Sequence, residues 1–520
     1  MPKIILQKKE LQKKLYNPID DEVLKETISM IGTDIERFED EIEVEIFPNR
    51  PDLLSINGLA RAINAYLFEQ QKTYHTQKGT TEVYVQDVPA RAHTRCAIVR
   101  NCSINQEILH ELIQIQEKLH ITYGRNRNKV AIGIYPLDKI TFPITYTKKK
   151  PEDIRFTPLE KNSPITGKEI HTLEIGKKYM HLLEGETEYP VFIDAKNIVL
   201  SVPPIINSKE AGEVRTDTKE LFIEVTGHNE EILEKAINML TCICIDYGWI
   251  VEETIIHYAH KHVISPQLKP TIMKVDTAYI VERSNIPKEE IARSLKKMGL
   301  EKKEEEVIIP PYRTDFMHPV DVIEDALIGY GYNNIITTKP NVHTVGALTQ
   351  ATRLHTKIRE LLVGLQLQEV MNYALRDTGI ELKNPLTTEY SCLRESLIEG
   401  LLDVHKQNIH NTYPQEIFEI GTVYALDANE ETGVQEKTSI AVSLCDHKSN
   451  YTTIRQVVEY ICTRIGAKIR FEAYDDPRFI EGRCAKISGD YEGILGEIHP
   501  EQLEKRKILI PISVCEFYKK

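Results

Sequence analysis

Apolar and polar residues alternate with two different periods along this chain, and the switches between them mark out its elements. Ile42 to Ile46 reads apolar, acidic, apolar, acidic, apolar, the period of a half-buried strand. From about Leu53 to Leu67 the apolar positions take helical spacing, and Asn49, Pro51 and Asp52 supply turn and N-cap chemistry just before it. The polar stretch Gln70 to Thr81 reads as a linker. Helical periodicity returns at Ile108 to Leu119 and Ile232 to Asp246, with apolar runs of strand length at Val130 to Ile134 and Phe222 to Val225. A third stretch predicts a helix over Lys288 to Lys297 closed by Gly299, a charged hairpin over Glu301 to Glu306, and a strand over Val307 to Ile309 stopped by two prolines. A further helix opens near Pro319 and closes before Gly331. The last stretch begins with a long helix, Leu348 to Leu367, and continues with strands at Glu369 to Leu375, Glu416 to Leu426, Ser439 to Cys445 and Ile469 to Ala473. The chain is therefore expected to be an α/β and α+β multidomain protein with regions 1–85, 88–262, 268–342 and 345–520. These read as an N-terminal α/β domain, a mixed α/β module, a small α+β module, and an antiparallel sheet with helices.

Composition narrows this picture little. An apolar share of 41% and a charged share of 28% are those of an ordinary globular protein. The net charge of −13 excludes coating of phosphates by bulk charge, so contact with RNA would need local basic patches or a partner. The nine cysteines are scattered, and Cys242 and Cys244 do not have zinc-finger spacing; buried, reduced thiols in a cytoplasmic protein are expected. No apolar stretch approaches the roughly 20 residues needed to cross a bilayer, so no membrane association is expected.

The densest chemistry lies at 315–325. Asp321, Glu324 and Asp325 fall on one helical face, with Asp315 in the loop before it. Carboxylates so close repel unless a cation neutralises them, and magnesium with its oxygen ligands would do so. The positive end of a helix dipole favours the same residues without any metal.

Two stretches carry a resemblance: FPNRPDLLSINGLARAI, Phe47 to Ile63, and PYRTDFMHPVDVIEDALIGYGYNNI, Pro311 to Ile335. With them the chain resembles the β subunits of phenylalanyl-tRNA synthetases in their shorter archaeal and eukaryotic form. The resemblance implies that Asp315, Asp321, Glu324 and Asp325 are ligands of Mg2+ in a magnesium-binding module. Bacterial relatives carry Glu at the last of these positions.

The second region resembles the tRNA-editing module of that family in KLHITYG (118–124), KVAIGI (129–134), LSVPPIINS (200–208) and TDTKELFIEVTG (216–227). The energetic need for such a site is plain. A pocket for phenylalanine rejects the added hydroxyl of tyrosine by only about 10²-fold, and a second, hydrolytic site supplies the rest. From these stretches Asn207, Ser208, Thr218, Glu224 and Thr226 are selected as catalytic or hydroxyl-reading groups of editing, with Glu224 and Thr226 on the same side of a strand. AsnSer also reads as a turn, and Thr226-Gly227 as a strand end. The histidines of this region have no partner at a diagnostic spacing and are read as structural. Relatives of archaeal character read HisAspLeuAspLys where this chain has Tyr135 to Lys139, so any role of that histidine is absent here.

The last region resembles the family's class II synthetase-like domain in KNPLTTEYS (383–391), LRESL (393–397), FEIGTVY (418–424), IEGR (480–483) and GEIHP (496–500). The Arg-x-Glu that class II enzymes use to hold ATP is replaced by FEIG, and no late glycine-rich segment ending in arginine follows. The resemblance thus implies a pseudo-catalytic domain packed on an α subunit that holds the synthetic site. It also implies an (αβ)2 heterotetramer, tRNA(Phe) as partner and ATP as substrate of the complex. The competing expectations are a stand-alone tRNA deacylase and a non-enzymatic tRNA-binding scaffold.

Overall fold

A computed structural model describes residues 2–159 and 161–520. It divides the chain into two compact units, 1–338 and 339–520. The first unit opens with a three-stranded antiparallel sheet in which Glu41–Glu45 lies between Lys3–Gln7 and Asp34–Phe38. The alternation of Ile42, Val44 and Ile46 buries one face of that sheet against the helix Ile56–Phe68. That helix starts later than its periodicity predicts. Its N-cap is Ser55, whose hydroxyl accepts from the Gly58 amide at 3.0 Å, and Pro51–Leu53 is a separate 3-10 turn. Asp52 cannot cap because Arg50 takes both its oxygens, at 2.9 Å each.

A ten-stranded sheet follows. Its order is Ile206–Asn207, Val199–Val202, Tyr189–Ile193, Ile144–Lys149, Gln77–Val85, Ile250–Tyr258, His93–Arg100, Leu221–Gly227 and Val130–Pro136, with Lys261–Ser265 paired to Ile250–Tyr258. The strand Gln77–Val85 corrects the expected linker, which ends at residue 76. Its polar residues satisfy backbone pairing in the sheet without an apolar pattern that could announce it. Alternate residues of the central strands serve two cores. Ala97, Val99, Ile223 and Val225 meet the helices Gln106–Ile121 and Glu230–Asp246, in a core continuous with the N-terminal sheet and helix. Cys96, Ile98, Phe222, Tyr135 and Tyr146 fill the opposite side.

The first unit closes with a small antiparallel sheet, Thr271–Lys274, Glu306–Ile309 and Glu301–Lys303, under the helices Ile291–Lys297 and Pro319–Tyr330. In the second unit the strands run Gln368–Glu369, Gln415–Leu426, Val434–Cys445, Ile512–Lys519, Tyr491–Ile498, Phe479–Gly489 and Ile469–Ala473. All pairs are antiparallel except the first. The helices Gln350–Gly364 and Tyr451–Ile465 pack on it through Ile358, Leu362, Ile454 and Val458. The expected strand at Glu369 to Leu375 is two short pieces, ending at Glu369 and restarting at Leu375, because Met371 and Tyr373 face solvent instead of a core. All nine cysteines are free and buried. Among the described residues no helix is long and apolar enough to cross a membrane.

Candidate functional site

The ten-stranded sheet curls until residues from its two ends meet. Tyr135, on the edge strand Val130–Pro136, places its hydroxyl 3.2 Å from Asn207 Oδ1 on the opposite edge strand. The same hydroxyl stands 3.1 Å from Glu224 Oε1. Beside this contact opens a cavity of about 330 Å³. Leu112, Ile132, Ile134, Ile206 and Val214 give it apolar walls, and Asn207 and Glu224 give it polar groups.

Glu224 occupies the middle of a fully buried strand and is 3% exposed. Burial pushes its carboxyl up to about 8, while the Tyr135 hydroxyl and the Arg91 guanidinium pull it back. It is therefore a neutral acid through most of the physiological range, able to donate one hydrogen and accept others. Its Oε2 is buried with no hydrogen-bond partner.

Charged side chains also line the cavity and hold its wall. Arg127 donates to the Ile205 carbonyl at 2.8 Å and to Glu117 Oε1 at 3.0 Å, and it lies over the Tyr179 ring. His120 accepts the Ile132 amide on Nε2 at 2.8 Å and faces Glu117 through Nδ1. Burial holds His120 below its ordinary value, whereas the His120 contact and Arg127 bring Glu117 down to about 2. His120 is thus committed to the wall.

Of the five residues selected from sequence, Asn207 and Glu224 meet in this cavity. The other three are spent elsewhere. Ser208 donates to the Val199 carbonyl at 2.5 Å and accepts the Ala211 amide, closing a turn. Thr218 accepts the Arg215 amide at 3.0 Å. Thr226 shares the face of Glu224, as its spacing predicts, but its hydroxyl accepts from buried Arg91 at 2.9 Å. Tyr135 and Arg91 were not selected from the sequence, in which Tyr135 stands out only as the residue where archaeal relatives carry a histidine. Tyr135 sits in an apolar run that reads as core, and Arg91 in a short ProAlaArg turn with no motif around it.

The acidic cluster is organised around one guanidinium. Arg313 reaches Asp315 Oδ2 at 2.7 Å and Asp325 Oδ2 at 2.8 Å, and its side chain is fully buried. Asp321 accepts the Met317 and His318 amides at 2.6 and 2.7 Å, so it caps the helix Pro319–Tyr330. Glu324 is exposed; its carboxyl is raised by partial burial and by the charges of Asp325, Asp315 and Asp321. Asp325 Oδ2 has the ion pair but no aligned hydrogen bond. As arranged, the four do not present the converging oxygens that magnesium demands, and among the described residues no group of three or more acidic, histidine or cysteine side chains does.

The two stretches that carry the resemblance also meet here. Arg61 stacks 3.7 Å from the centroid of Tyr312 and pairs with Asp246 at 2.6 Å, and the charges of Arg50, Asp52 and Arg313 act on one another. In the second unit, Glu419 of the FEIG stretch is buried and bound by Arg394 at 2.6 Å and by the Asn372 amide at 2.7 Å.

Known proteins match nearly the whole chain. The family described as phenylalanyl tRNA synthetase beta chain CLM domain matches residues 335–518, and the tRNA synthetase B5 domain matches 273–332. A phenylalanine–tRNA ligase beta subunit of Archaeoglobus fulgidus is 34% identical over 99% of this chain and 98% of its own length. That of Methanocaldococcus jannaschii is 33% identical over 98% of each. The crystal structure of an N-terminal fragment of the Pyrococcus horikoshii phenylalanyl-tRNA synthetase beta subunit covers 63% of this chain and 99% of that one. It has a TM-score of 0.60 and 32% identity.

Proposed function

We propose that this chain, which belongs to the family of phenylalanine–tRNA ligase β subunits, is the proofreading half of its enzyme. It is one subunit of an aminoacyl-tRNA synthetase and works with an α subunit to attach phenylalanine to its tRNA. Hydrolysis of mischarged tyrosyl-tRNA at the curled edge of the ten-stranded sheet is the new part of the reading. The observation that carries it is the buried Glu224 with a free Oε2 at the wall of a cavity whose other side is apolar, its carboxyl raised by burial. Such a cavity accepts an aromatic side chain, and a hydroxyl satisfies Glu224 Oε2, which phenylalanine leaves unpaired.

An (αβ)2 assembly, tRNA(Phe) as partner, ATP as substrate of the complex and a cytoplasmic site of action belong to the same proposal. Magnesium at Asp315, Asp321, Glu324 and Asp325 belongs to it on one condition, that Arg313 gives up two of the carboxylates. The charge that raises Glu324 and the unaligned Asp325 Oδ2 support it.

The test is co-expression with the α subunit. Glu224→Ala should let tyrosyl-tRNA accumulate while phenylalanylation stays near normal. Unchanged clearance of tyrosyl-tRNA by Glu224→Ala would remove Glu224 as its reader. A chain that purifies without an α subunit and still deacylates tRNA would favour a free-standing deacylase.

A further inference from the structure

The Tyr135 hydroxyl has one hydrogen and two acceptors within reach, Glu224 Oε1 at 3.1 Å and Asn207 Oδ1 at 3.2 Å, with the Ser201 hydroxyl acting on it as well. With Asn207 turned so that Oδ1 faces the phenol, as in the structure, all three groups are satisfied only if the carboxyl brings a hydrogen of its own. We propose that Tyr135 is a positioning residue of the cavity: it takes the hydrogen of Glu224 Oε1, gives its own to Asn207 Oδ1, and so fixes Glu224 with Oε2 as the acceptor for the hydroxyl of a ligand. The inference rests on the editing reading above and deepens it, because it names the group that is read: an aryl hydroxyl that donates.

Three observations support this chain of hydrogens. Gly133 lies directly opposite Glu224 in register, and a Cβ there would stand 2.4 Å from the Tyr135 hydroxyl and 2.5 Å from Glu224 Oε1. The meeting of phenol and carboxyl therefore depends on a residue without a side chain. The Tyr135 ring is fixed independently, stacked at 6.0 Å between centroids on Phe222. The surroundings keep Glu224 neutral. Burial raises its carboxyl against the charge of Arg91 and the hydrogen bond of Tyr135, and its own charge acts in turn on Cys96 and Tyr146, both raised by burial. Across the cavity Glu117, His120 and Arg127 are paired among themselves, and Glu213 completes the charged lining.

A neutral carboxyl and a primary amide offer the same two functions here, one donor toward Tyr135 and one acceptor toward the ligand. A carboxylate offers no donor. In the complex with the α subunit, Glu224→Gln is thus expected to keep most of the preference for tyrosyl-tRNA over phenylalanyl-tRNA. Glu224→Ala should lose it. Tyr135→Phe, which retains the stacked ring, should lower kcat/KM for tyrosyl-tRNA by roughly 5- to 100-fold. The loss should fall mainly on KM and should be larger for tyrosyl-tRNA than for phenylalanyl-tRNA. If Glu224→Gln fails as badly as Glu224→Ala in a folded complex, the carboxylate charge is the reader and the hydrogen chain is wrong. If Tyr135→Phe keeps the full preference, Tyr135 only packs. A parent complex that shows no preference for tyrosyl-tRNA, or a Glu224→Ala complex that keeps it, brings down the editing reading itself and this inference with it.

Discussion

Arg313 stands 2.8 Å from Asp325 Oδ2 while its other nitrogen holds Asp315 at 2.7 Å, so a single buried cation neutralises two of four clustered carboxylates. Removing one partner of a buried ion pair costs about 3–5 kcal/mol, because the remaining charge is left without compensation. Arg313→Met should therefore destabilise the first unit by about that much in the presence of a chelator. If these carboxylates can hold magnesium, millimolar Mg2+ should restore part of the loss in the variant. Urea unfolding with and without the ion measures both effects, and an identical curve in the two conditions would count against magnesium at this place.

Glu224 carries a pH dependence whose sign follows from its position. Its carboxyl rises from the ordinary 4.5 to about 8 on folding, so the folded state binds the proton more tightly than the unfolded one. Stability from this group is complete below the unfolded value and is lost as pH climbs through the folded one. Glu224→Gln, which never ionises, should match the parent near pH 4 and exceed it at pH 9, by up to roughly 4–5 kcal/mol. Urea unfolding at the two values isolates the term, since all other groups titrate alike in both proteins. A gap that is constant with pH would place the proton elsewhere.

The second unit offers no free arginine-and-glutamate pair on its FEIG strand, since Glu419 is already occupied by Arg394 and Asn372. The isolated chain should consequently show only background ATP–pyrophosphate exchange with phenylalanine, and exchange should appear when the α subunit is added. Exchange above background by the chain alone would mean that the ATP-holding groups lie somewhere other than the class II pattern suggests.

Local pattern by itself determined most elements and the family. The alternation at Ile42 to Ile46, the helices near Ile108 and Ile232, and the strands around Val130 and Phe222 all announce themselves, because burial of one face imposes a period on the sequence. Glu224 was selected too, through the stretch TDTKELFIEVTG that carries the resemblance to the editing module. What a hydroxyl does was not legible. Thr226 and Ser208 look as able as Asn207, and only the fold shows them bound to Arg91 and to the Val199 carbonyl. The polar strand Gln77–Val85 and the division of Asp315, Asp325 and Asp321 between Arg313 and a helix cap were equally hidden. So was the meeting of Tyr135 with Asn207, 72 positions away, which arises because the sheet curls one edge toward the other. A period records which face of an element is buried. It holds no record of which distant element supplies the hydrogen, and that depends on the curvature of the whole sheet.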